Sequence, residues 1–331
     1  YNGQIAKYIS SFAVEFQNKY WSNVNVWSCE NTEVEMVVKK LNSVGRFRNS
    51  FELIYGNGTK MLVSDELMLD SVIQLLHGSK DGMPEPFEFV KILTYLDKSD
   101  SPIVKENIMM VELLFYNYIR HDVNLRHFQL FYGILHNPST MLELIKLAWL
   151  PDNEQAKEIR KNEFAKNKNL SSIAKIALEI LHGLEAQPCE NNNGVVNGQD
   201  LKKYAKELLE AAKSEYLERP AMYVIGKLLG NINLGEDYPP PYLGEILEEL
   251  DKDEIDDEYR RQLFNRHGFT CRAYNEGGTI ERKREKKFLS YAEKTRFTYD
   301  RITIVFEKLA SEYHHMGDRE DVNAKLEDLD N

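Results

Sequence analysis

Apolar residues recur every three or four positions along most of the chain, and no other sequence feature limits its fold as strongly. This spacing is the period of an amphipathic α-helix. Near the amino terminus it places Ile5, Ile9 and Phe12 on one face. Near the carboxyl terminus a longer set shares one face, made up of Tyr299, Ile302, Val305, Phe306, Leu309 and Tyr313.

The periodic segments follow one another with only short breaks, such as residues 98–102 and 122–125. Consecutive helices joined by short turns are typical of helix hairpins in series. We therefore expect an all-α protein of about a dozen helices or more without strands. Its helix hairpins are expected to stack as an irregular α-solenoid or helical array, although no strict repeat consensus is present.

One segment allows two interpretations. Residues 47–55 have apolar positions at helical spacing and lead into Gly56-Asn57-Gly58, which is typical of a left-handed helix C-cap. Residues 51–63 could instead form two strands joined by that glycine-containing loop, because periodicity does not distinguish helix from strand over short apolar runs. We favour the helix.

The periodic pattern stops at residues 188–199, which contain three consecutive asparagines and two glycines. We interpret this segment as a loop or linker between an N-terminal helical array, residues 1–187, and a C-terminal helical subdomain, residues 200–331. In the latter, Asp200 is expected to cap a long helix, and the prolines of residues 238–241 form a stiff connector.

Composition narrows the class of protein. The 331 residues carry a formal charge of -11 and are 42% hydrophobic, yet no run approaches the roughly 20 apolar residues of a membrane span. Cys29, Cys189 and Cys271 are odd in number and widely spaced, so we predict no disulfide framework and a reducing, cytoplasmic location. Because the chain opens at Tyr1 directly in a helical pattern, we expect it to be part of a longer protein.

Motifs for catalysis are not evident: we find no phosphate-binding loop, no nucleophile elbow and no HExxH pair. Two Glu-x-x-His pairs, Glu179 with His182 and Glu312 with His315, have the spacing that di-iron bundles use. Chance alone gives about one such pair at this acidic content, so they are weak evidence. We predict no catalytic residue, cofactor or metal, and a helical-bundle metal enzyme remains the third hypothesis.

The connector before the last two helices contains glycines that favour a turn. A helix is expected to stop at residues 265–268, and Thr279 to cap the next helix with Glu281 in its first turn. Arg272 and Glu276 could pair across the connector and fix the angle between the last helices. We favour this structural role over ligand binding for both residues.

Basic residues are concentrated in residues 279–301, where eight Lys or Arg face four acids. This segment is the one candidate for a nucleic-acid interface. Acidic segments at residues 245–258 and 318–330 could instead neutralise it within the chain. The candidate interaction residues in and before this segment are Arg272, Glu276, Arg282, Lys283, Arg284, Lys286, Lys287, Lys294 and Arg296.

The second half of the chain resembles the C-terminal region of very large bacterial helical proteins. The similarity covers roughly residues 85–328 and is carried by short motifs. These motifs are residues 193–198 (NGVVNG), 225–229 (IGKLL), 265–268 (NRHG), 276–278 (EGG), 281–282 (ER), 291–292 (YA) and 319–321 (RED). The resemblance implies a helical region of a larger multidomain protein of the kind used in phage defence, and it carries no catalytic assignment.

These observations together predict a non-enzymatic helical scaffold or recognition module of a larger bacterial protein. Helical arrays bury a continuous core and present an extended face, which suits binding of a protein partner or another domain of the same chain. The alternative is a nucleic-acid-binding module that uses the basic residues 279–301.

Overall fold

In a computed structural model, α-helices make up most of the described part of the chain. The structure describes residues 3–26, 29–56, 63–76, 78, 82–120, 128–191, 194–236, 238–266 and 276–329. Within these ranges the chain forms eighteen α-helices and no β-strand, which confirms the all-α class. An isolated antiparallel bridge joins Glu190 and Val196. The solenoid or array arrangement stays a prediction.

The helices are numbered in chain order. The first nine are α1 Gly3–Ile9, α2 Val14–Asn23, α3 Val34–Ser43, α4 Phe47–Gly56, α5 Asp65–Leu75, α6 Pro86–Leu96, α7 Pro102–Leu114, α8 Tyr116–Ile119 and α9 Gln129–His136. The others are α10 Pro138–Ala148, α11 Glu154–Lys166, α12 Lys168–Gly183, α13 Gly198–Ser214, α14 Glu218–Gly230, α15 Pro241–Leu250, α16 Asp253–Asn265, α17 Thr279–Thr295 and α18 Asp300–Leu329. No described helix combines the length and the hydrophobicity that a membrane crossing requires.

Helix starts follow local chemistry. The Ser64 hydroxyl accepts a hydrogen bond from the Leu67 amide at 3.3 Å and caps α5. Pro86 and Pro241 occupy the first turns of α6 and α15, where the missing amide hydrogen costs no hydrogen bond. The helix predicted over residues 47–55 is confirmed as α4, and its predicted cap at Asn57 and Gly58 lies outside the described residues.

Two predicted caps are wrong by a few residues. The α13 cap is Asn197, whose side-chain oxygen accepts from the amides of Gln199 and Asp200, so Asp200 lies in the first turn. Asn197 caps the helix because its short side chain reaches two amide groups at the start of α13 that have no partner within the helix. Gly278 precedes α17, and the Thr279 hydroxyl donates to the carbonyl of Glu276 instead of capping the helix.

Contacts divide the chain into two compact units, Tyr1–Tyr132 and Gly133–Asn331. In the first unit α3, α4, α5 and α7 pack together, and Phe51 of α4 contacts the buried Phe89 of α6 with ring centroids 5.1 Å apart. The rings of Phe89 and Phe115 lie 4.6 Å apart between centroids. This aromatic centre is the core of the N-terminal unit.

In the second unit, the helices α10, α12, α13, α14, α15, α16, α17 and α18 form the core. The helices α14 and α16 pack closely, as do α17 and α18. Between the last two, Phe288 and Tyr313 stack with ring centroids 5.7 Å apart. Gly278 lies very close to Gly317: a Cβ atom on Gly278 would come within 2.4 Å of the Gly317 carbonyl oxygen. These contacts fix the helices that form the site described below.

The segment predicted as a linker packs within the second unit where it is described. The Cys189 amide donates to the carbonyl of Leu135 at 3.0 Å, and the Asn197 amide donates to the carbonyl of Cys189 at 3.2 Å. The division between the two compact units falls at Tyr132 and Gly133. The linker over residues 188–199 stays a prediction, and the two hydrogen bonds join Cys189 to α9 and to Asn197.

Candidate functional site

A groove of about 770 Å³ opens in the second unit where α14, α16 and α18 meet. Each of the three helices contributes one apolar side chain to its lining: Tyr223 from α14, Phe264 from α16 and Met316 from α18. The remaining lining is charged or polar. The groove therefore combines an apolar surface with many ionic groups.

Close helix packing positions the apolar part of the groove. A Cβ atom on Gly226 of α14 would lie 2.6 Å from the Cβ of Glu258 on α16. On the other side, the ring of Phe264 stacks on Tyr313 of α18 with centroids 5.4 Å apart. The shape of the groove thus depends on glycine at one helix contact and on aromatic stacking at the other.

Two of the four arginines that line the groove are neutralised by its own acids. Arg260 forms ion pairs with Glu312 and, at 3.6 Å, with Asp257. The Arg261 Nε donates to Glu258 at 2.8 Å. The Arg261 guanidinium also lies 5.3 Å from the centroid of the Tyr223 ring, a cation–π distance.

Burial shifts the pKa values of two neighbouring charged groups, Glu258 and Lys227. Desolvation raises the pKa of the Glu258 carboxyl, and its hydrogen bond from Arg261 opposes that rise. Desolvation also lowers the pKa of the buried Lys227, whose ammonium donates to the carbonyl of His182. These groups are held by neighbours in the chain, so they hold the groove together and are not free to react.

The other two arginines behave differently. Arg219 of α14 and Arg319 of α18 line the groove and are exposed, and their guanidinium groups have no hydrogen bond or ion pair with any described residue. His315 is exposed beside them, and its ring meets that of His314 at 5.9 Å. Two guanidinium groups from two helices are therefore available to a ligand.

Arg282 is one of the candidate interaction residues predicted from the sequence, and in the structure it forms a network of contacts within the chain. Arg282 of α17 forms ion pairs with Asp318, with Asp321 at 3.2 Å and with Glu285 at 3.4 Å. The Gly278 amide donates to Asp321 at 2.7 Å. The hydrogen bonds that Arg282 donates to these carboxylates, above all to Asp318, hold the pKa of Arg282 above its usual range. Arg282 connects the start of α17 to the second half of α18.

Several other basic residues of the predicted interface also contact groups in the same chain. Arg296 pairs with Glu307 at 2.9 Å. The Arg284 guanidinium and the Lys287 ammonium lie 5.6 Å from the ring centroids of Tyr313 and Tyr291. Lys283, Lys286 and Lys294 are exposed on the same helix.

The flanking acidic segments provide part of the neutralisation. Arg301 of α18 pairs with Asp253 and Asp256, both at 2.7 Å, and with Asp251. These acids belong to residues 245–258, and two of the partners of Arg282, Asp318 and Asp321, belong to residues 318–330. Ion pairs within the chain therefore neutralise part of the positive charge of residues 279–301.

The connector residues are described only in part. Arg272 and Cys271 lie outside the described residues, so the predicted pair of Arg272 with Glu276 does too. Glu276 is described, and its carbonyl accepts the hydrogen bond from Thr279 at 2.8 Å. The structure assigns Glu276 a place in the turn before α17.

The Glu-x-x-His pairs are distributed over separate contacts. Glu312 binds Arg260, and the His182 ring lies 5.9 Å from the Tyr223 ring centroid. Among the described residues no three His, Cys, Asp or Glu side chains converge as metal ligands would. Neither pair is therefore seen as part of a larger ligand set.

A second cavity of about 390 Å³ in the same unit is lined by Cys189 and His136. Cys189 adopts a positive φ of 54°, which is uncommon outside glycine. Burial raises the pKa of its thiol to about 11, and burial lowers the pKa of His136. The thiol is therefore protonated at neutral pH, which makes it a poor nucleophile.

Arg219 and Arg319 are not among the interaction residues predicted from the sequence. They lie exactly one hundred positions apart in the chain, and no local motif marks either of them as part of a common site. One signal was present: Arg219 follows Glu218 at the start of a helix, where cations are unfavourable. No protein-family model, curated protein or solved structure matches the chain.

Proposed function

We propose that the protein is a non-enzymatic helical recognition module. Its C-terminal unit binds a protein partner, or another domain of a longer chain, in the groove between α14, α16 and α18. The observation that carries this proposal is the convergence of Tyr223, Phe264 and Met316 beside two guanidinium groups that pair with no described residue. Aromatic residues, methionine and arginine are the residue types enriched at protein interfaces.

The chemistry of the groove supports binding instead of catalysis. A general base must be able to take a proton from a substrate. Glu258 and Glu312, however, accept hydrogen bonds or ion pairs from Arg261 and Arg260. Such carboxylates stabilise the helix contacts and leave the apolar surface as the feature a partner can use.

The cellular setting of the proposal comes from the sequence alone. We propose a cytoplasmic, bacterial protein in which this helical region serves a larger multidomain chain, as the resemblance to phage-defence proteins implies. A scaffold of stacked helices presents its surface without needing a cofactor. Demonstration of a partner from such a system would connect the groove to that setting.

Nucleic acid is the alternative ligand, and the basic helix α17 is its candidate surface. Phe297, which is 95% exposed just after α17, could stack on a base. Against this, Arg282, Arg296 and Arg301 form ion pairs within the chain. The protein-partner function is favoured because Arg219 and Arg319 of the groove form no ion pair with a described residue, whereas most arginines of the basic segment do.

The test is affinity capture from lysate of the source cells with matched variants. Met316→Trp fills the groove with a bulky ring, while Val322→Trp places the same ring on α18 at an exposed position that does not line the groove. We expect a protein that is retained by the wild type and by Val322→Trp, lost from Met316→Trp and unaffected by nuclease. Identical retention by all three proteins, or release by nuclease, would overturn the proposal.

A further inference from the structure

The charges that remain unpaired in the groove indicate what kind of partner segment it takes. Of its four acids, Glu312 and Asp257 pair with Arg260, and Glu258 pairs with Arg261. The fourth, Glu254, lies in the first turn of α16, where the helix dipole stabilises a carboxylate. The acids of the groove therefore have favourable interactions within the chain.

The two unpaired arginines lack such interactions. Arg219 lies in the first turn of α14, at the positive end of the helix dipole, and no described acid contacts it. A cation in that position weakens the helix, so folding does not account for its presence there. Arg319 reaches the same groove from α18 and is also exposed and unpaired among the described residues.

From this arrangement we infer that the groove binds an acidic segment of a partner protein, in which an apolar side chain is flanked by carboxylates. The inference rests on the proposed recognition function and specifies its ligand. The apolar side chain would pack against Tyr223, Phe264 and Met316. The carboxylates would pair with Arg219 and Arg319, because planar guanidinium groups match carboxylates in bidentate geometry.

Local charge, and not the charge of the whole protein, must produce this selectivity. The chain carries a formal charge of -11, so its long-range field repels an acidic segment. Only groups inside the groove can reverse that preference at short range. A charge change in the groove should therefore alter binding, while an equal change elsewhere on the same unit should not.

The experiment uses an array of short peptides in which Leu, Phe or Trp is flanked by all combinations of Glu, Gln, Lys and Ala. The labelled full chain is applied as wild type, as Arg219→Glu/Arg319→Glu, and as the control Lys283→Glu/Lys286→Glu. Both double variants change the net charge equally, and all four side chains are exposed. Circular dichroism verifies that each variant is folded.

We expect peptides with Glu beside the apolar residue to be retained by the wild type and by the Lys283→Glu/Lys286→Glu control. For the best peptide, fluorescence polarisation should show binding at least about tenfold weaker in Arg219→Glu/Arg319→Glu. Equal retention of Gln and Glu peptides, equal weakening in both double variants, or no retained peptide would each overturn the acidic-segment inference. The capture experiment that compares Met316→Trp with Val322→Trp tests the recognition function separately.

Discussion

Gly226 of α14 lies against Glu258 of α16 so closely that the two helices have no space for a side chain between them. A Cβ atom at Gly226 would come within 2.7 Å of the Ile255 carbonyl oxygen as well as 2.6 Å of the Glu258 Cβ. Backbone atoms cannot move away as a flexible side chain can. This contact therefore holds together two of the three helices that form the groove.

Gly226→Ala should separate α14 from α16 and destabilise the fold. Overpacking of this kind costs about 1–3 kcal/mol. We expect a lower urea midpoint for this variant, together with weaker capture of any groove partner. Lys161→Ala on the exposed side of α11 is the control and should leave the midpoint unchanged. Unchanged stability of Gly226→Ala would show that the helices can part without cost.

Arg219→Gln should weaken peptide binding without lowering the stability of the fold. Removing a cation from the first turn of α14 relieves an unfavourable interaction with the helix dipole, which is worth about 0.3–1 kcal/mol at exposed positions. We expect thermal unfolding at the same or a slightly higher temperature, while binding of acidic peptides weakens. A clear fall in the unfolding temperature would mean that Arg219 has a structural role.

Local sequence patterns predicted the helices well because periodicity and capping act over a few residues. The segment ending at Tyr55 is helical as predicted, and Ser64 caps the helix that follows it, α5. The cap of α13 is Asn197 and not the predicted Asp200, because several polar residues near a helix start compete for the same amide groups. Such errors of a few residues leave the sequence of helices intact.

The groove could not be predicted in the same way. Arg219 and Arg319 line one groove only because α14 and α18 both pack on α16. No local spacing in the sequence encodes this packing. The same reason explains why Arg282 looked available in the sequence, since Asp318 and Asp321 reach it from the next helix. A count of charges along the chain overstates the free charge whenever helices pair their charged faces.

Arg282→Ala should release the second half of α18. The variant removes the ion pairs to Glu285, Asp318 and Asp321 that connect this helix to α17. Hydrogen exchange of amides in residues 318–326 should become faster, while the core of α17 stays protected. Arg282→Lys keeps the charge and should restore only part of the protection, because one ammonium cannot bridge three carboxylates in fixed geometry. Equal exchange in Arg282→Ala and the wild type would exclude this role.

Glu112 should make the stability of the protein depend on pH. Burial raises the pKa of this carboxyl from 4.5 to about 8, although it accepts a hydrogen bond from the Leu130 amide at 2.7 Å. The folded state therefore holds a proton that the unfolded state loses above pH 4.5. Stability from this group is complete below pH 4.5 and is lost as the pH rises towards 8, by up to about 1.4 kcal/mol per pH unit.

Denaturant titrations between pH 5 and pH 9 compare Glu112→Gln with the wild type, because glutamine keeps the shape and cannot ionise. We expect the variant to lose less stability with rising pH. Parallel pH profiles would show that Glu112 ionises equally in both states. Glu143→Gln, at an exposed position of α10, is the control that should follow the wild-type profile.

The basic helix α17 should bind nucleic acid only weakly. Lys283 and Lys286 are exposed, but Arg282 and Arg296 already form ion pairs with acids of the chain. Each phosphate neutralised on a single strand contributes about -0.7 to the slope of log K against log salt. Neutralisation of two phosphates by Lys283 and Lys286 thus predicts a slope of about -1.4, measured by fluorescence anisotropy with a single-stranded oligonucleotide. A much steeper slope that Lys283→Glu/Lys286→Glu abolishes would instead make α17 the principal binding surface.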